Sequence, residues 1–161
     1  MLEVGKKAPP FALESSDGGK VALADLAGKL AVIYFYPRDN TPGCTVQAQE
    51  FTKAMPAFKK LGVAVLGVSK DTIESHCKFR DKHKLNFPLL SDPDGAMLEA
   101  YGAWGEKIMY GKKRKGILRS TVLIDGNGKV AKHWDRVTAK GHAEAVLAAI
   151  KDLGAPSAKS K

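Results

Sequence analysis

The chain has 161 residues, a length that suits one domain with a sizeable hydrophobic core. Hydrophobic residues make up 44% and charged residues 27%, and no apolar run has the length of a membrane span or the form of a secretory signal. Because two cysteines are too few for a secreted disulfide scaffold, we expect a cytoplasmic protein whose thiols serve catalysis, redox chemistry or burial.

The first part of the chain predicts loops, then a strand, then a helix. Residues 1–29 are rich in turn residues and leave room only for short edge strands. The continuous apolar run Leu30–Tyr36 is typical of a central strand buried on both faces. A helical pattern then runs from Cys44 to Leu61, and we expect Pro56 to kink it. The apolar positions of this helix are Val46, Phe51, Met55 and Phe58.

The rest of the chain alternates strands and helices. Asp71-Thr72-Ile73-Glu74 resembles a capping box that starts a helix running to about Lys84, and Asp125–Gly128 predicts a hairpin turn. We expect further strands at 63–68, 87–90, 120–124 and 129–134 and further helices up to 101 and over 139–153. The order predicts an α/β sandwich with a mixed central sheet in one domain, residues 1–153, followed by a disordered tail at 154–161.

The formal net charge of +9 would suit nucleic acid or acidic partners. The densest basic cluster is Lys112–Lys115. We expect an exposed loop there, since runs of like charge are commonly solvated, and a docking surface for an acidic reductase or for nucleic acid is the alternative. Because no aromatic interleaving or nucleic-acid-binding motif accompanies the cluster, we expect no nucleic-acid partner.

Cys44 is the residue that most strongly indicates chemistry. It follows a strand that stops at Pro37 and a turn-forming segment, and it opens a helical pattern. Unpaired backbone N–H groups and the positive end of the helix dipole stabilise a thiolate at such a position, and the thiolate is the nucleophilic form. A free cysteine is more often a small buried hydrophobe, but the strand-turn-helix setting favours catalysis.

Residues Pro37, Thr41 and Cys44 fit the Pro-x-x-x-Thr-x-x-Cys signature of peroxiredoxins. The longer stretch Tyr34–Thr45 resembles the bacterioferritin comigratory protein/peroxiredoxin Q branch. Further motifs extend the resemblance from about residue 4 to about 153: Ser75-His76, Phe87–Asp92, Met109–Gly111 and Gly116–Thr121. The resemblance implies a thioredoxin-like fold and a monomeric peroxidase that reduces hydrogen peroxide and organic hydroperoxides, uses no cofactor or metal, and is recycled by thioredoxin.

The resemblance also assigns roles to individual residues. Cys44 is the nucleophile and becomes a sulfenic acid, while the Thr41 hydroxyl holds the peroxide and Pro37 shields the site from water. Arg119 lies beside the thiolate, a role that suits a permanently charged fork of donors. Without the motifs, Thr41 would be interpreted as a cap or turn residue and Arg119 as an exposed charge at a strand edge.

The chain departs from the usual pattern of the branch at two positions. Gln49 stands where many members carry the resolving cysteine, and Gln47 stands where a glutamate is usual. The missing carboxylate puts any charge-network role of position 47 in doubt. Cys77 is the only other thiol, and by resemblance some members place the resolving cysteine on this second helix.

From its place along the helix, Cys77 can resolve the Cys44 sulfenic acid only if part of a helix moves first. Helices of successive β-α units begin at the same edge of the sheet, but Cys77 lies on the order of 9 Å along its helix from the cap expected at Asp71. A disulfide usually needs Cα atoms within about 7 Å, so we expect a helical segment to unwind first. The alternative is a spectator cysteine and a one-cysteine cycle resolved by an external thiol.

Two other classes of function remain as alternatives. A disulfide oxidoreductase would carry Cys-x-x-Cys at the first helix, where this chain has Cys44 followed by Thr45, Val46 and Gln47. A basic redox-sensing or nucleic-acid-binding protein would bind with a steep salt dependence and little peroxide turnover. The four dispersed histidines, including His76 and His142, fit no standard zinc site, so we expect them at the surface.

Overall fold

A computed structural model describes residues 2–109 and 111–153 of the chain. The strands within these ranges are β1 (Ala12–Ser15), β2 (Lys20–Ala22), β3 (Leu30–Phe35), β4 (Val63–Ser69), β5 (Leu89–Ser91), β6 (Trp104–Met109), β7 (Lys112–Ile117), β8 (Ser120–Ile124) and β9 (Val130–Trp134). The α-helices are α1 (Pro42–Lys60), α2 (Ile73–His83), α3 (Ala96–Ala100) and α4 (His142–Asp152).

Seven of these strands form one mixed sheet in the order β2-β1-β5-β4-β3-β8-β9. Strands β3, β4 and β5 are parallel, as their helical crossovers require, whereas β8 pairs antiparallel with β3 and with β9. Strands β6 and β7 form a separate two-stranded ribbon. The predicted mixed sheet flanked by helices is therefore confirmed.

Strand β3 lies at the centre because both of its faces are apolar. Val32 and Tyr34 point into a core shared with α1 and α4, and Ile33 and Phe35 point into a core shared with α3. All four side chains are at most 1% exposed. Alternating residues of a strand face opposite sides of a sheet, so a continuous apolar run needs a layer on each side.

Helix α1 begins two residues before the predicted start. Pro42 occupies its first turn, a position that proline favours because its missing N–H has no helical partner there. Thr41 is the N-cap residue, and the helix continues through Pro56 to Lys60. The prediction of an apolar position at Val46 was wrong, since this side chain is 38% exposed.

The start of α2 also differs from the prediction by one residue. Thr72 is the N-cap, and its Oγ1 accepts a hydrogen bond from the Ser75 N–H at 3.1 Å. The carboxylate of Asp71, which was expected to cap the helix, instead accepts from the backbone N–H of Asp39 and from Ser69 Oγ. The loop before α2 is thereby tied to the loop before α1.

The basic cluster Lys112–Lys115 is exposed as expected, but it belongs to strand β7 and not to a loop. All four lysine and arginine residues at 112–115 are exposed, so this part of β7 shows no alternation of buried and exposed positions. The tail predicted at 154–161 lies outside the described residues, and the single-domain boundary at 153 stays a prediction. No helix in the described part of the chain is long and apolar enough to cross a membrane.

Candidate active site

Cys44 lies in the first turn of α1, where Pro42 and Thr41 set the direction of the helix. Its side chain is 1% exposed. No acidic residue stands in this first turn, so the positive end of the helix dipole is not offset by a neighbouring carboxylate. The Cys44 sulfur therefore lies at the positive end of the helix dipole and is shielded from bulk water.

The guanidinium of Arg119 lies directly beside the sulfur. Arg119 precedes β8, which pairs with β3, so the sheet brings it to the start of α1. Its Nη2 donates to Cys44 Sγ at 3.4 Å, and its Nη1 donates to Gln47 Oε1 at 2.6 Å. A Cβ at position 43 would lie 3.2 Å from Nη2, so Gly43 leaves room for this approach. The prediction that Arg119 lies beside Cys44 therefore agrees with the geometry.

Gln47 holds the Arg119 guanidinium through its side-chain oxygen but carries no charge. It is fully buried one turn after Cys44 and holds the guanidinium through Oε1, whereas its Nε2 has no hydrogen-bond partner within the described residues. The acceptor is neutral, so it orients Arg119 without neutralising it. The positive charge of Arg119 therefore remains available to interact with the Cys44 sulfur.

Thr41 and Pro37 border the site from the preceding loop. Thr41 is half-buried, and its Oγ1 donates to the carbonyl of Arg38 at 2.9 Å. Pro37 and Arg119 line a cavity of about 260 Å³ whose remaining walls are Lys107, Ile117, Leu118, Arg136 and Val137. The opening beside the guanidinium is thus partly apolar and carries two further cations.

A buried aromatic layer lies near the sulfur. Tyr34 stacks on Phe51 with ring centroids 4.7 Å apart, and its hydroxyl has no partner within the described residues. Burial raises the pKa of Tyr34 well above its usual value, and the charge of Cys44 adds to this effect. The phenol therefore stays neutral and contributes a rigid apolar wall.

Cys77 is not brought next to Cys44. Both cysteines are free, and the half-buried Cys77 donates to the carbonyl of Ser16 at 3.6 Å. The contact of Cys77 is Ser16, which follows β1, and the contact of Cys44 is Arg119, which precedes β8. Three strands lie between β1 and β8 in the sheet. At about 4.8 Å per strand, those two strands are roughly 19 Å apart, so the contacts of the two thiols lie on opposite parts of the sheet.

The prediction of surface histidines was wrong for His76 and His142, which are 0% and 6% exposed. His76 Nδ1 lies 2.7 Å from Asp39 Oδ2, and His76 Nε2 donates to the Leu90 carbonyl at 2.9 Å. A helical face offered the missed signal, since His76 and the buried Phe79 are three residues apart on α2. Asp39, Asp71 and His76 each place a ligand atom within 4.8 Å of the others, but the His76 nitrogen is already engaged with Asp39.

His142 is the first residue of α4 and lies near enough to Arg119 for the guanidinium charge to act on it. Its Nε2 is 2.7 Å from Thr121 Oγ1. Burial, together with the nearby charge of Arg119, lowers the pKa of His142 to about 4. The imidazole is therefore neutral at physiological pH and adds no positive charge next to Arg119.

Residues 4–133 match the AhpC/TSA family. Peroxiredoxin Bcp of Bacillus subtilis is 43% identical over 152 residues, which cover 94% of this chain and 97% of that protein. Peroxiredoxin Bcp of Escherichia coli is 44% identical over 151 residues, with 94% and 97% covered. The chain belongs to the AhpC/TSA family. It is a peroxiredoxin of the Bcp/peroxiredoxin Q group, and hence a peroxidase, as its motifs predicted.

Solved structures of this peroxiredoxin group share the fold. The bacterioferritin comigratory protein of Xanthomonas campestris, described with its alkyl peroxide reduction activity, superposes with a TM-score of 0.87 at 42% identity, covering 94% of this chain and 99% of that one. A cysteine-to-serine mutant of Xylella fastidiosa PrxQ has a TM-score of 0.90 at 35% identity, covering 96% and 98%. The prediction of a thioredoxin-like peroxiredoxin fold is confirmed.

The number of residues between the two cysteines of this peroxiredoxin differs from that between the two mutated cysteines of a solved relative. Two structures of Xanthomonas campestris peroxiredoxin Q are cysteine-to-serine mutants at positions whose numbers differ by 36. Cys44 and Cys77 are 33 residues apart. Three residues are roughly one helical turn, so similarity alone does not transfer a role to Cys77.

Proposed function

We propose that Cys44 is the peroxidatic nucleophile of this peroxidase and that hydrogen peroxide and organic hydroperoxides are its substrates. The observation that carries the proposal is the contact of 3.4 Å between Arg119 Nη2 and Cys44 Sγ at a helix N-terminus free of acidic residues. The thiolate attacks one peroxide oxygen and the O–O bond breaks. The products are a Cys44 sulfenic acid and, after the leaving oxygen takes up a proton, water or an alcohol.

Each neighbouring residue has a distinct part in this step. Arg119 stabilises the thiolate and then the negative charge that develops on the leaving oxygen, since its donors already face the sulfur. Thr41 turns its hydroxyl from the Arg38 carbonyl to the bound peroxide, and Pro37 limits the access of water. The apolar part of the cavity accommodates the organic group of a hydroperoxide.

Cys77 resolves the sulfenic acid in this proposal. Its thiol attacks the sulfur of Cys44, a disulfide forms, and the sulfenic oxygen leaves as water with the thiol proton. A thioredoxin-type protein then reduces the disulfide. The support is that Cys77 is the only other cysteine in the chain and is partly accessible. The enzyme would act as a monomer in the cytoplasm, without nucleic acid.

A one-cysteine cycle is the second candidate. The contact of Cys77 with the Ser16 carbonyl and its spacing from Cys44 favour it. In that cycle a small external thiol would attack the Cys44 sulfenic acid. Cys77 would then take no part in turnover.

Intact mass and peptide mapping after one equivalent of hydrogen peroxide would separate these candidates. Loss of two hydrogens with a linked Cys44–Cys77 peptide supports the two-cysteine cycle, and an added oxygen on Cys44 without linkage supports the one-cysteine cycle. Cys44→Ser should abolish peroxidase activity, whereas Cys77→Ser should react once and recycle poorly with thioredoxin. Full turnover by Cys44→Ser would contradict the assignment of the nucleophile.

A further inference from the structure

The cavity beside Cys44 carries charge of one sign only. Its charged lining residues are Lys107 on β6, Arg119 before β8 and Arg136 after β9. The other four lining residues are apolar: Pro37, Ile117, Leu118 and Val137. Within the described residues, none of the three cations forms an ion pair. The proposed oxidation of Cys44 uses Arg119, so Lys107 and Arg136 are two positive charges to which that step gives no role.

Lys107 is held at this cavity by its own contacts. It is half-buried, and its Nζ donates to the carbonyl of Ile117 at 3.0 Å. A Cβ at position 116 would lie 2.9 Å from Lys107 Cε, so Gly116 provides the space in which the side chain crosses from β6 to β7. The carbonyl is a neutral acceptor and takes one of the three N–H donors of an ammonium. The positive charge and two donors of Lys107 therefore remain available to a ligand.

Arg136 is fixed beside Arg119 by the backbone. The N–H of Val137 donates to the carbonyl of Arg119 at 3.0 Å, which holds the segment after β9 against the residue before β8. Arg136 is exposed, and the neighbouring carboxylate, Asp135, does not line the cavity. A guanidinium presents paired N–H donors that match the two oxygens of a carboxylate. An anion in the cavity would therefore meet suitable donors from two separate segments.

The ribbon of β6 and β7 gains no stability from the charge of Lys107. Its register places Arg114 directly opposite Lys107, on the same face of the ribbon. Like charges in such a pair are destabilising, and neither residue has an acidic partner in the part of the chain that the structure describes. A bound anion would offset this repulsion.

We propose that Lys107 and Arg136 bind a carboxylate on the organic group of the substrate, so that this peroxidase favours anionic hydroperoxides over neutral ones of the same size. The inference rests on the proposed peroxidatic role of Cys44 and names the substrate class of that site. The bonds that form and break are those of Cys44 oxidation, and the carboxylate takes no part in them. Lys107 and Arg136 determine specificity because they contact the carboxylate.

The distribution of the lining residues fits such a substrate. The hydroperoxide group lies towards Arg119, whose Nη2 donates to Cys44 Sγ, and the carboxylate lies towards Lys107 and Arg136. The apolar lining residues contact the hydrocarbon between these two groups. The volume of about 260 Å³ is slightly below the range of about 300–1,000 Å³ that is typical of ligand pockets, so we expect a small organic group.

A matched pair of hydroperoxides tests the selection by charge. Cumene hydroperoxide with a carboxylate in the para position is the anionic probe, and the corresponding primary amide is a neutral probe of nearly the same shape. Rapid mixing, acid quench and intact mass give the rate constant for loss of the reduced protein with each probe. The ratio of the two rate constants is the readout, because a change in the reactivity of the sulfur itself cancels in it. Hydrogen peroxide serves as the reference oxidant.

Two variants of the cavity are compared with one control. Lys107→Gln and Arg136→Gln each remove one charge from the lining. Lys113→Gln removes one charge from the same ribbon, but Lys113 is next to Arg114 in β7 and therefore lies on the face opposite to Lys107, outside the cavity. Because all three variants lower the net charge equally, the control separates binding in the cavity from general attraction to a basic protein.

The parent should react about tenfold faster with the carboxylate probe than with the amide, since a charge-assisted hydrogen bond is stronger than a neutral one. Each cavity variant should lower this ratio about threefold, and Lys113→Gln should keep it. Equal rates with the two probes in the parent, or a parental ratio in both cavity variants, would overturn the selection by charge but not the role of Cys44. An equal fall of the ratio in Lys113→Gln would do the same. If hydrogen peroxide also leaves Cys44 unoxidised, the assignment of the nucleophile fails as well.

Discussion

Gln47 offers a test of how the guanidinium is positioned, because its two terminal atoms make opposite contributions to stability. Oε1 accepts a hydrogen bond from Arg119, which is worth about 1.5–3 kcal/mol for a charged donor. Nε2 is buried without a partner in the described structure, which costs about 1–3 kcal/mol. Gln47→Leu removes both, so the free energy of unfolding should change little.

The rate of Cys44 oxidation should respond differently. If the hydrogen bond from Arg119 Nη1 to Gln47 Oε1 keeps Nη2 on the sulfur, its loss should lower the second-order rate constant with hydrogen peroxide roughly 10- to 150-fold, the kinetic equivalent of about 1.5–3 kcal/mol. Stopped-flow competition with a haem peroxidase measures this constant, and urea denaturation measures stability. Gln49→Leu, an exposed glutamine of the same helix, is the matched control and should leave the rate unchanged. A rate within twofold of the parent for Gln47→Leu would refute the reasoning.

Three further variants test separate parts of the structure. Arg119→Met should lower the rate of Cys44 oxidation about 100- to 1,000-fold without abolishing it, measured in the same competition assay, and a rate close to the parent would remove Arg119 from the step. Thr72→Ala should lower the free energy of unfolding by about 1 kcal/mol through loss of the α2 cap, with Thr45→Ala as an α1 control; equal stability of parent and variant in urea would contradict the cap. For His142, the pKa of about 4 in the folded protein is below the unfolded value of about 6.5, so the unfolded chain binds more protons between these pH values. The resulting contribution to the free energy of unfolding, on the order of 2 kcal/mol, is complete above pH 6.5 and is lost as pH falls towards 4. Urea titrations at pH 7 and 4.5 should show a smaller effect of pH on stability in His142→Gln than in the parent. An identical effect in both proteins would contradict the assignment.

The sheet and most parts of the candidate site were predictable because they have local signatures. Strand β3 is apolar on both faces, the Pro-x-x-x-Thr-x-x-Cys spacing marks the start of α1, and Arg119 lies in its own motif. Each of these signatures consists of residues that are close together in the chain. The proximity of Arg119 and Cys44 came from the family pattern, because 75 residues separate them.

The buried polar network was not predictable in the same way. Histidine in a charged helix is ordinarily assigned to the surface, and α2 carries five other charged residues that favour this interpretation. His76 is buried only because Asp39, 37 residues earlier, supplies a partner that the sequence of α2 does not contain. The ribbon of β6 and β7 was missed for a related reason, since a strand with two open faces has no hydrophobic period to recognise.

The glutamine at position 47 sets the charge balance around Arg119. With a carboxylate there, Arg119 would have a permanent anionic partner, and the thiolate would add a second negative charge to a single guanidinium. With the neutral Gln47, the guanidinium donates to an uncharged oxygen and to Cys44 Sγ, and the nearby His142 stays neutral because burial lowers its pKa. Arg119 therefore has no anionic partner at position 47, and its Nη2 donor faces Cys44 Sγ.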